Sequence, residues 1–133
     1  MDTLTPLGRS EQMRRIKSKN TGPELIVRRA AHALGFRFRL HGVLPGKPDL
    51  VFAGRQKVIF VHGCFWHGHT CARGARVPVN NRDYWVQKVS RNRARDRRAL
   101  RLLRADGWNV LVIWECQTQT PENLGRRLQK FLA

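Results

Sequence analysis

The segment Val61-His62-Gly63-Cys64-Phe65-Trp66-His67-Gly68-His69-Thr70-Cys71 restricts the fold of this chain more than any other. It gathers three of the five histidines and two of the three cysteines of the 133 residues into one short stretch. Thiolates and imidazoles at this density are the ligand set of zinc, and a structural zinc site closes with four of them. Cys64, His69 and Cys71 with the distant Cys116 make such a set. A metal held by all four would tie the C-terminal part of the chain to its centre and leave His62 and His67 free for chemistry. His67 is an alternative to His69, because both lie within reach of Cys64 and Cys71. A catalytic zinc on His62, His67 and His69, with one position open, is a second alternative. Plain burial of the cysteines is a third. A disulfide fits less well: the cysteine count is odd and no secretory signal opens the sequence.

Twenty-six Lys and Arg face nine Asp and Glu, a formal net charge of +17. An excess of that size favours a polyanionic partner, and nucleic acid is the first candidate. The cations cluster. Residues 73–104 hold eleven Lys and Arg against two acids, Asp83 and Asp96, and residues 1–20 add Arg9, Arg14, Arg15, Lys17 and Lys19. An anionic membrane surface would attract the same charge. The basic stretch, however, lacks the exposed Trp/Phe/Leu face of an interfacial helix, and no apolar run approaches the ~18 residues of a membrane span. The length suits one domain with one core.

Residues 1–20 are polar and basic and read as an arm; residues 21–133 read as the folded domain. Thr21-Gly22-Pro23-Glu24 has the signature of a helix start: a cap threonine, a proline in the first turn and a glutamate at the capping-box position. Leu25, Ile26, Val27, Ala30, Ala31 and Leu34 give that helix an apolar face, and Gly35 ends it. Phe36-Arg37-Phe38-Arg39-Leu40 alternates with period two and predicts a strand. A loop with two prolines and two glycines follows at 41–48. Asp49-Leu50-Val51-Phe52 opens a second strand, 53–56 turns, and 57–61 runs back as a third. Residues 72–81 show no period. Residues 83–106 predict a long helix closed by Gly107, with Val86, Val89, Leu100 and Leu103 on its apolar side. Residues 108–114 predict a buried fourth strand. Leu124, Leu128 and Leu132 after Pro121 predict a last helix. The order αβββαβα is that of one layered α/β domain.

Two short antiparallel strands joined by a tight turn bring the start of one to the end of the next, so Asp49 and His62 are expected to be neighbours. Glu24 joins them if its helix packs across the sheet. Carboxylates at a strand edge beside imidazoles can hold Mg²⁺ and activate water for attack on phosphate, with histidine as base or acid near neutral pH. The competing reading makes Glu24 a capping-box residue and Asp49 a strand initiator after proline. A DNA-binding module without catalysis would share the basic and aromatic features, but it would have no use for Asp49 with His67.

Taken together, several strings resemble the very-short-patch-repair (Vsr) DNA mismatch endonucleases. They are Pro48-Asp49, the run from Val61 to His67 followed by His69 and Cys71, Asn92 with Arg95-Asp96-Arg97-Arg98, and Gly107-Trp108 with Trp114-Glu115-Cys116. The resemblance covers about residues 13–115, and the run His-Gly-Cys-Phe-Trp-His at 62–67 is its most specific part. It implies a single-domain α/β fold with a restriction-endonuclease-like core of order αβββαβ, a structural zinc site and an extra C-terminal helix. It implies a Mg²⁺-dependent endonuclease that nicks one strand 5′ to the thymine of a T·G mismatch, the product of 5-methylcytosine deamination, and so starts very short patch repair. Such an enzyme would be a cytoplasmic monomer working on double-stranded DNA, with mismatch-repair proteins as further partners.

By motif, the resemblance makes Asp49 the Mg²⁺ ligand, assisted by the backbone carbonyl of Val61. His67 works with Glu24 on the attacking water, and His62 stands near the scissile phosphate. The structural zinc falls on Cys64, His69, Cys71 and Cys116. Phe65, Trp66 and Trp85 wedge into the base stack, which a T·G wobble pair resists less than a matched pair. Arg14, Arg15, Lys47, Lys88, Asn92, Arg95, Arg97 and Arg98 contact the DNA. One departure is notable. Where restriction nucleases carry a second acid and a lysine on the third strand, this chain has Phe60, Val61 and His62.

Overall fold

The structure, a computed structural model, describes residues 21–71 and 80–133. Helix α1 spans Gly22–Ala33, strands β1, β2 and β3 span Arg39–Leu40, Leu50–Phe52 and Lys57–His62, helix α2 spans Arg82–Ala105, strand β4 spans Asn109–Trp114 and helix α3 spans Pro121–Leu132. Single 3₁₀ turns occupy Ala53–Arg55 and Glu115–Thr118. The αβββαβα order read from the sequence is the order observed. The basic arm, with Arg14 and Arg15, and residues 72–79 lie outside the described residues. No described helix is long and apolar enough to cross a membrane.

The four strands form one sheet in the order β1-β2-β3-β4, antiparallel for the first two pairings and parallel for β3 with β4. Side chains alternate across a strand, and the alternation divides the core in two. Leu50, Phe52, Ile59 and Ile113 meet Val27 and Ala31 of α1 and Leu124, Leu128 and Leu132 of α3. Val51, Val58 and Phe60 meet Leu103, with Leu100 and Trp108 packed alongside. The sheet is thus covered by α1 and α3 on one face and by the C-terminal half of α2 on the other.

Three expectations are corrected. The strand predicted over 36–40 is paired only at Arg39 and Leu40, opposite Val51 and Leu50. Phe36 and Phe38 still pack inward against the first core, Phe38 with its ring 5.7 Å from that of Phe52, but the ladder with β2 does not extend to them. Strand β4 is half-buried rather than buried, with only Ile113 inaccessible along its length, because it is an edge strand. Val86 on α2 is exposed: Ala99 and Leu103 are the buried residues of that helix, and its N-terminal half carries its arginines away from the sheet.

Candidate active site and metal centre

Because β3 and β4 are parallel, both end at the same edge, where His62 pairs with Trp114. The chain leaving β3 is the 63–71 loop and the chain leaving β4 is the Glu115–Thr118 turn, so segments 50 residues apart meet there. The loop is folded on itself by three main-chain bonds, His67 N–H to Gly63 O, Gly68 N–H to Phe65 O and His69 N–H to Cys64 O, at 2.9–3.2 Å. Gly68 has φ +64°, and a Cβ there would come within 2.5 Å of Arg93 Cδ and 2.9 Å of Val89 Cγ1. Glycine is required at the point where the loop lies against α2.

Asp49 ends the β2–β3 ladder with its side chain. Its N–H donates to Ile59 O at 3.1 Å, and its Oδ2 accepts from Val61 N–H at 2.6 Å. The N–H and C=O of one strand residue lie on the same edge, so the Val61 carbonyl faces this side too. Glu24, buried to 1% exposure, reaches the same place from α1. Its Oε2 accepts from Arg28 at 2.8 Å and its Oε1 lies 2.9 Å from His41 Nε2. Thr21 Oγ1 accepts from Glu24 N–H at 3.3 Å, so the threonine cap is as expected. Glu24, for which a capping-box role and a site role competed in the sequence, turns its carboxylate to Arg28, His41 and Asp49. Glu24, His41 and Asp49 bring one donor atom each within 4.8 Å of one another, a group able to hold a metal ion. Burial, a hydrogen bond with Glu24 and the Glu24 charge raise the Asp49 carboxyl from 3.8 to about 8, opposed by the Val61 N–H and Arg28. The Arg28 guanidinium on Glu24 offsets part of the repulsion between the two carboxyls, and a shared metal cation would offset more.

His62 does not join Asp49 through its side chain. It forms a second group with His67 and Asp96. The two imidazoles stack face to face, centroids 3.9 Å apart and 3° from parallel, and His67 Nδ1 lies 2.6 Å from Asp96 Oδ2. The edge of Trp114 closes the His62 side. Burial, with the neighbouring His67 adding to it and Asp96 opposing, lowers His62 from 6.5 to about 4. His62 is therefore neutral at neutral pH, and its Nδ1 is buried without a hydrogen-bond partner among the described residues. Glu24 and His67, paired on one water by the family resemblance, thus belong to adjoining groups anchored on successive residues of β3, Val61 and His62.

Cys64, His69, Cys71 and Cys116 form the third group, again with donor atoms within 4.8 Å. Cys116 N–H donates to Cys64 Sγ at 3.3 Å, and Cys116 Sγ lies 3.6 Å from His69 Nδ1. Between the two alternatives left by the sequence, it is His69 and not His67 that stands with the thiols. Its ring lies flat on Trp114, 4.2 Å between centroids, so Trp114 is the wall between this group and the stacked histidines. Burial first, and hydrogen bonds with the other two thiols, push the Cys64 thiol up to about 12.

Beside the histidines is an aromatic cluster. Phe65, Trp66 and Trp85 lie 5.0–5.7 Å apart, ring centre to ring centre, at steep angles. Tyr84, 51% exposed, extends it, with Lys88 Nζ over its ring. All three of the predicted wedge residues are only partly buried. Asn92 on α2 donates to the Trp66 carbonyl at 2.8 Å and accepts from Arg95 at 2.8 Å, so it fixes the loop that carries the aromatics. Arg95, Arg97 and Arg98 are exposed on α2, and Lys47 is exposed in the 41–48 loop.

Three site residues escaped the sequence reading. Asp96 left a signal: it is one of two acids among eleven cations in 73–104. Arg28 stands four residues after Glu24 on one helix, a spacing that pairs charges. His41 left only its residue type.

Comparison with known proteins follows the same lines. The family model described as "DNA mismatch endonuclease Vsr" matches residues 1–73. The chain is 48% identical over 132 residues to the type II nicking enzyme V.XorIIP of Xanthomonas oryzae pv. oryzae, covering 98% of this chain and 96% of that protein. It is 38% identical to the type II nicking enzyme V.NmeAIP of Neisseria meningitidis, covering 98% and 94%. It is 38% identical over 130 residues to the DNA mismatch endonuclease Vsr of Escherichia coli, covering 93% and 83%.

Proposed function

This chain belongs to the Vsr family of DNA mismatch endonucleases and is a nuclease acting on DNA, and from that premise we propose that it nicks one strand 5′ to the thymine of a T·G mismatch. The observation that carries the reading is the continuity of the two catalytic groups. The Asp49–Glu24 carboxylates meet β3 at Val61, and the His62–His67–Asp96 group starts at the next residue.

The donor chemistry fits two different metals. Asp49, Glu24 and the Val61 carbonyl offer hard oxygens in a pocket where one carboxyl otherwise retains a proton, and that suits Mg²⁺. Three thiols and His69 suit a structural Zn²⁺, which would replace the protons that burial keeps on Cys64. When bound, Mg²⁺ supplies charge to offset that developing on the phosphate oxygens.

The chain's own residues do the rest. The Asp96 carboxylate accepts from His67 Nδ1–H, which leaves Nε2 as the nitrogen that exchanges a proton with the attacking water. Glu24 lies on the adjoining group and shares in orienting that water. His62, neutral and stacked on His67, is by the family resemblance the histidine near the scissile phosphate. Stacked rings 3.9 Å apart disfavour two positive charges, which fits a neutral His62. Phe65, Trp66 and Trp85 enter the base stack at the mismatch, and Lys47, Lys88, Arg95, Arg97 and Arg98, with Arg14 and Arg15 of the arm, meet phosphates. On this reading the protein acts as a monomer in the bacterial cytoplasm on such DNA, with mismatch-repair proteins as further partners.

A strand-resolved nicking assay on T·G and matched duplexes, with and without Mg²⁺, tests this. The expected product is one nick, in the thymine strand of the T·G duplex, with Mg²⁺ present. Equal cutting of matched duplex would reject mismatch specificity, and cutting of both strands would reject nicking.

A further inference from the structure

We infer that His41 is a positioning residue for the carboxylate site: its imidazole holds Glu24 in register with Asp49. The inference rests on the reading of Asp49 and Glu24 given above and adds a residue to it. His41 opens the 41–48 loop and is stapled across the site by two separate bonds. Its main-chain N–H donates to the Asp49 carbonyl at 3.0 Å, and its Nε2 lies 2.9 Å from Glu24 Oε1. Arg28 grips the other carboxylate oxygen at 2.8 Å.

The two grips differ in what they fix. Arg28 sits on the same helix as Glu24 and moves with it, so it orients the carboxylate relative to α1. His41 is tied to Asp49 through the main chain, so it orients Glu24 relative to Asp49, and this is the separation a shared cation senses. The loop is built to hold it. His41 adopts φ 49°, a conformation glycine takes at less cost; what histidine adds there is the imidazole, 17% exposed. Gly42 follows with no room for a side chain, since a Cβ would come 2.6 Å from Val51 Cγ2. The loop is therefore clamped against β2 directly after His41.

His41 also belongs to the group of donors that could hold a metal ion directly. With its Nε2–H donated to Glu24 Oε1, that nitrogen has no lone pair to give a metal. The imidazole therefore acts through Glu24.

The test compares His41→Met, which keeps bulk and loses the N–H, with His41→Gln, which keeps a donor. Residues behind a metal ligand contribute roughly 10- to 100-fold to activity or affinity. His41→Met should lower the single-turnover nicking rate on T·G duplex by that factor. It should also weaken Mn²⁺ binding without DNA, followed by the free-ion electron paramagnetic resonance signal. Duplex affinity and zinc content should stay at wild-type values. His41→Gln should recover most of the loss. A wild-type rate or Mn²⁺ affinity in His41→Met, or a His41→Gln as impaired as His41→Met, overturns the role. If His41→Met does not fold, His41→Asn, whose shorter amide falls short of Glu24, takes its place in the comparison with His41→Gln. Asp49→Asn and Glu24→Gln belong in the same assays. If they nick normally, the reading of the site has failed; if they are dead while His41→Met is not, only the role of His41 has.

Discussion

Asp49 occupies the place of a ladder partner for Val61 and faces a second carboxyl, so the consequences of changing it differ with and without a cation. Asn at this position can still accept from the Val61 N–H but is a poor ligand for a hard ion. Asp49→Asn should lose nicking by on the order of 10³-fold or more, since a metal contributes several kcal/mol of charge stabilisation. Binding to T·G duplex should be retained. A variant that nicks near the wild-type rate would remove Asp49 from the site. The same residue sets a pH dependence. In Mg²⁺-free buffer the folded Asp49 keeps its proton to about pH 8, against 3.8 for the ordinary group. Its contribution to stability is full below the lower value and is lost as pH rises through the upper one. His62, depressed to about 4 from 6.5, works in the opposite sense: its contribution is full above 6.5 and falls as pH drops towards 4. Above 6.5 only Asp49 remains. The melting temperature should then fall between pH 6.5 and 8, and Asp49→Asn should flatten that slope; thermal melts at the two pH values decide it. The sequence made Asp49 legible because proline and a strand fix its position. It left Glu24 ambiguous because Thr-x-x-Glu serves helix caps equally well, and it hid His41 because a loop residue's partners depend on how α1 packs across the sheet.

At the scale of elements, the parallel pairing of β3 with β4 is what converts two distant segments into one site. Period-two alternation, helical spacing, β-branched composition and the Pro and Gly punctuation were enough to find every helix and strand of the described residues in order, though not the 3₁₀ turn at Glu115–Thr118. Pairing lengths were not legible, because they depend on the partner: β1 pairs with β2 over two residues only, and β4 is half-buried because no fifth strand covers its edge. Cys116 reports on the junction directly. Cys116→Ser should lower bound zinc below one per chain and lower the melting temperature, since a metal held by both segments contributes to folding. Wild-type zinc content in Cys116→Ser would mean that the other three ligands hold the ion without it. The aromatic loop reports on recognition. Trp66 is held by its main chain, through Asn92, while its ring is partly open, so Trp66→Ala removes a ring without undoing the loop. Stacking on one aromatic is worth roughly 1–3 kcal/mol, so T·G affinity should fall on the order of ten- to a hundredfold. Matched duplex should lose far less, because only the weaker pair admits a wedge at low cost. Equal losses at one salt concentration would make Trp66 a general contact.

Over the whole molecule, and on the reading proposed above, the charge of +17 would act on any duplex, matched or not, whereas the aromatic cluster would act at the mismatch. The two contributions should separate experimentally. Arg97 and Arg98 are exposed on α2 and, unlike Arg95, are not bonded to the Asn92 that holds the Trp66 carbonyl. Replacing them with alanine should remove phosphate contacts while leaving the aromatic loop in place. Each phosphate contact contributes about 0.9 to the slope of log affinity against log salt on B-form DNA, through release of condensed counterions. The double variant Arg97→Ala/Arg98→Ala should therefore bind more weakly and less salt-dependently, its slope shallower by up to twice that amount. It should lose the same factor on T·G and on matched duplex, so the ratio between the two affinities stays at the wild-type value. Trp66→Ala should show the converse, an unchanged salt slope and a reduced ratio. Titrating both variants on both duplexes over a range of salt gives the two slopes and the two ratios together. If the arginine variant keeps the wild-type slope, α2 does not lie along the phosphates. If it changes the ratio, the basic face and the aromatic cluster do not act independently.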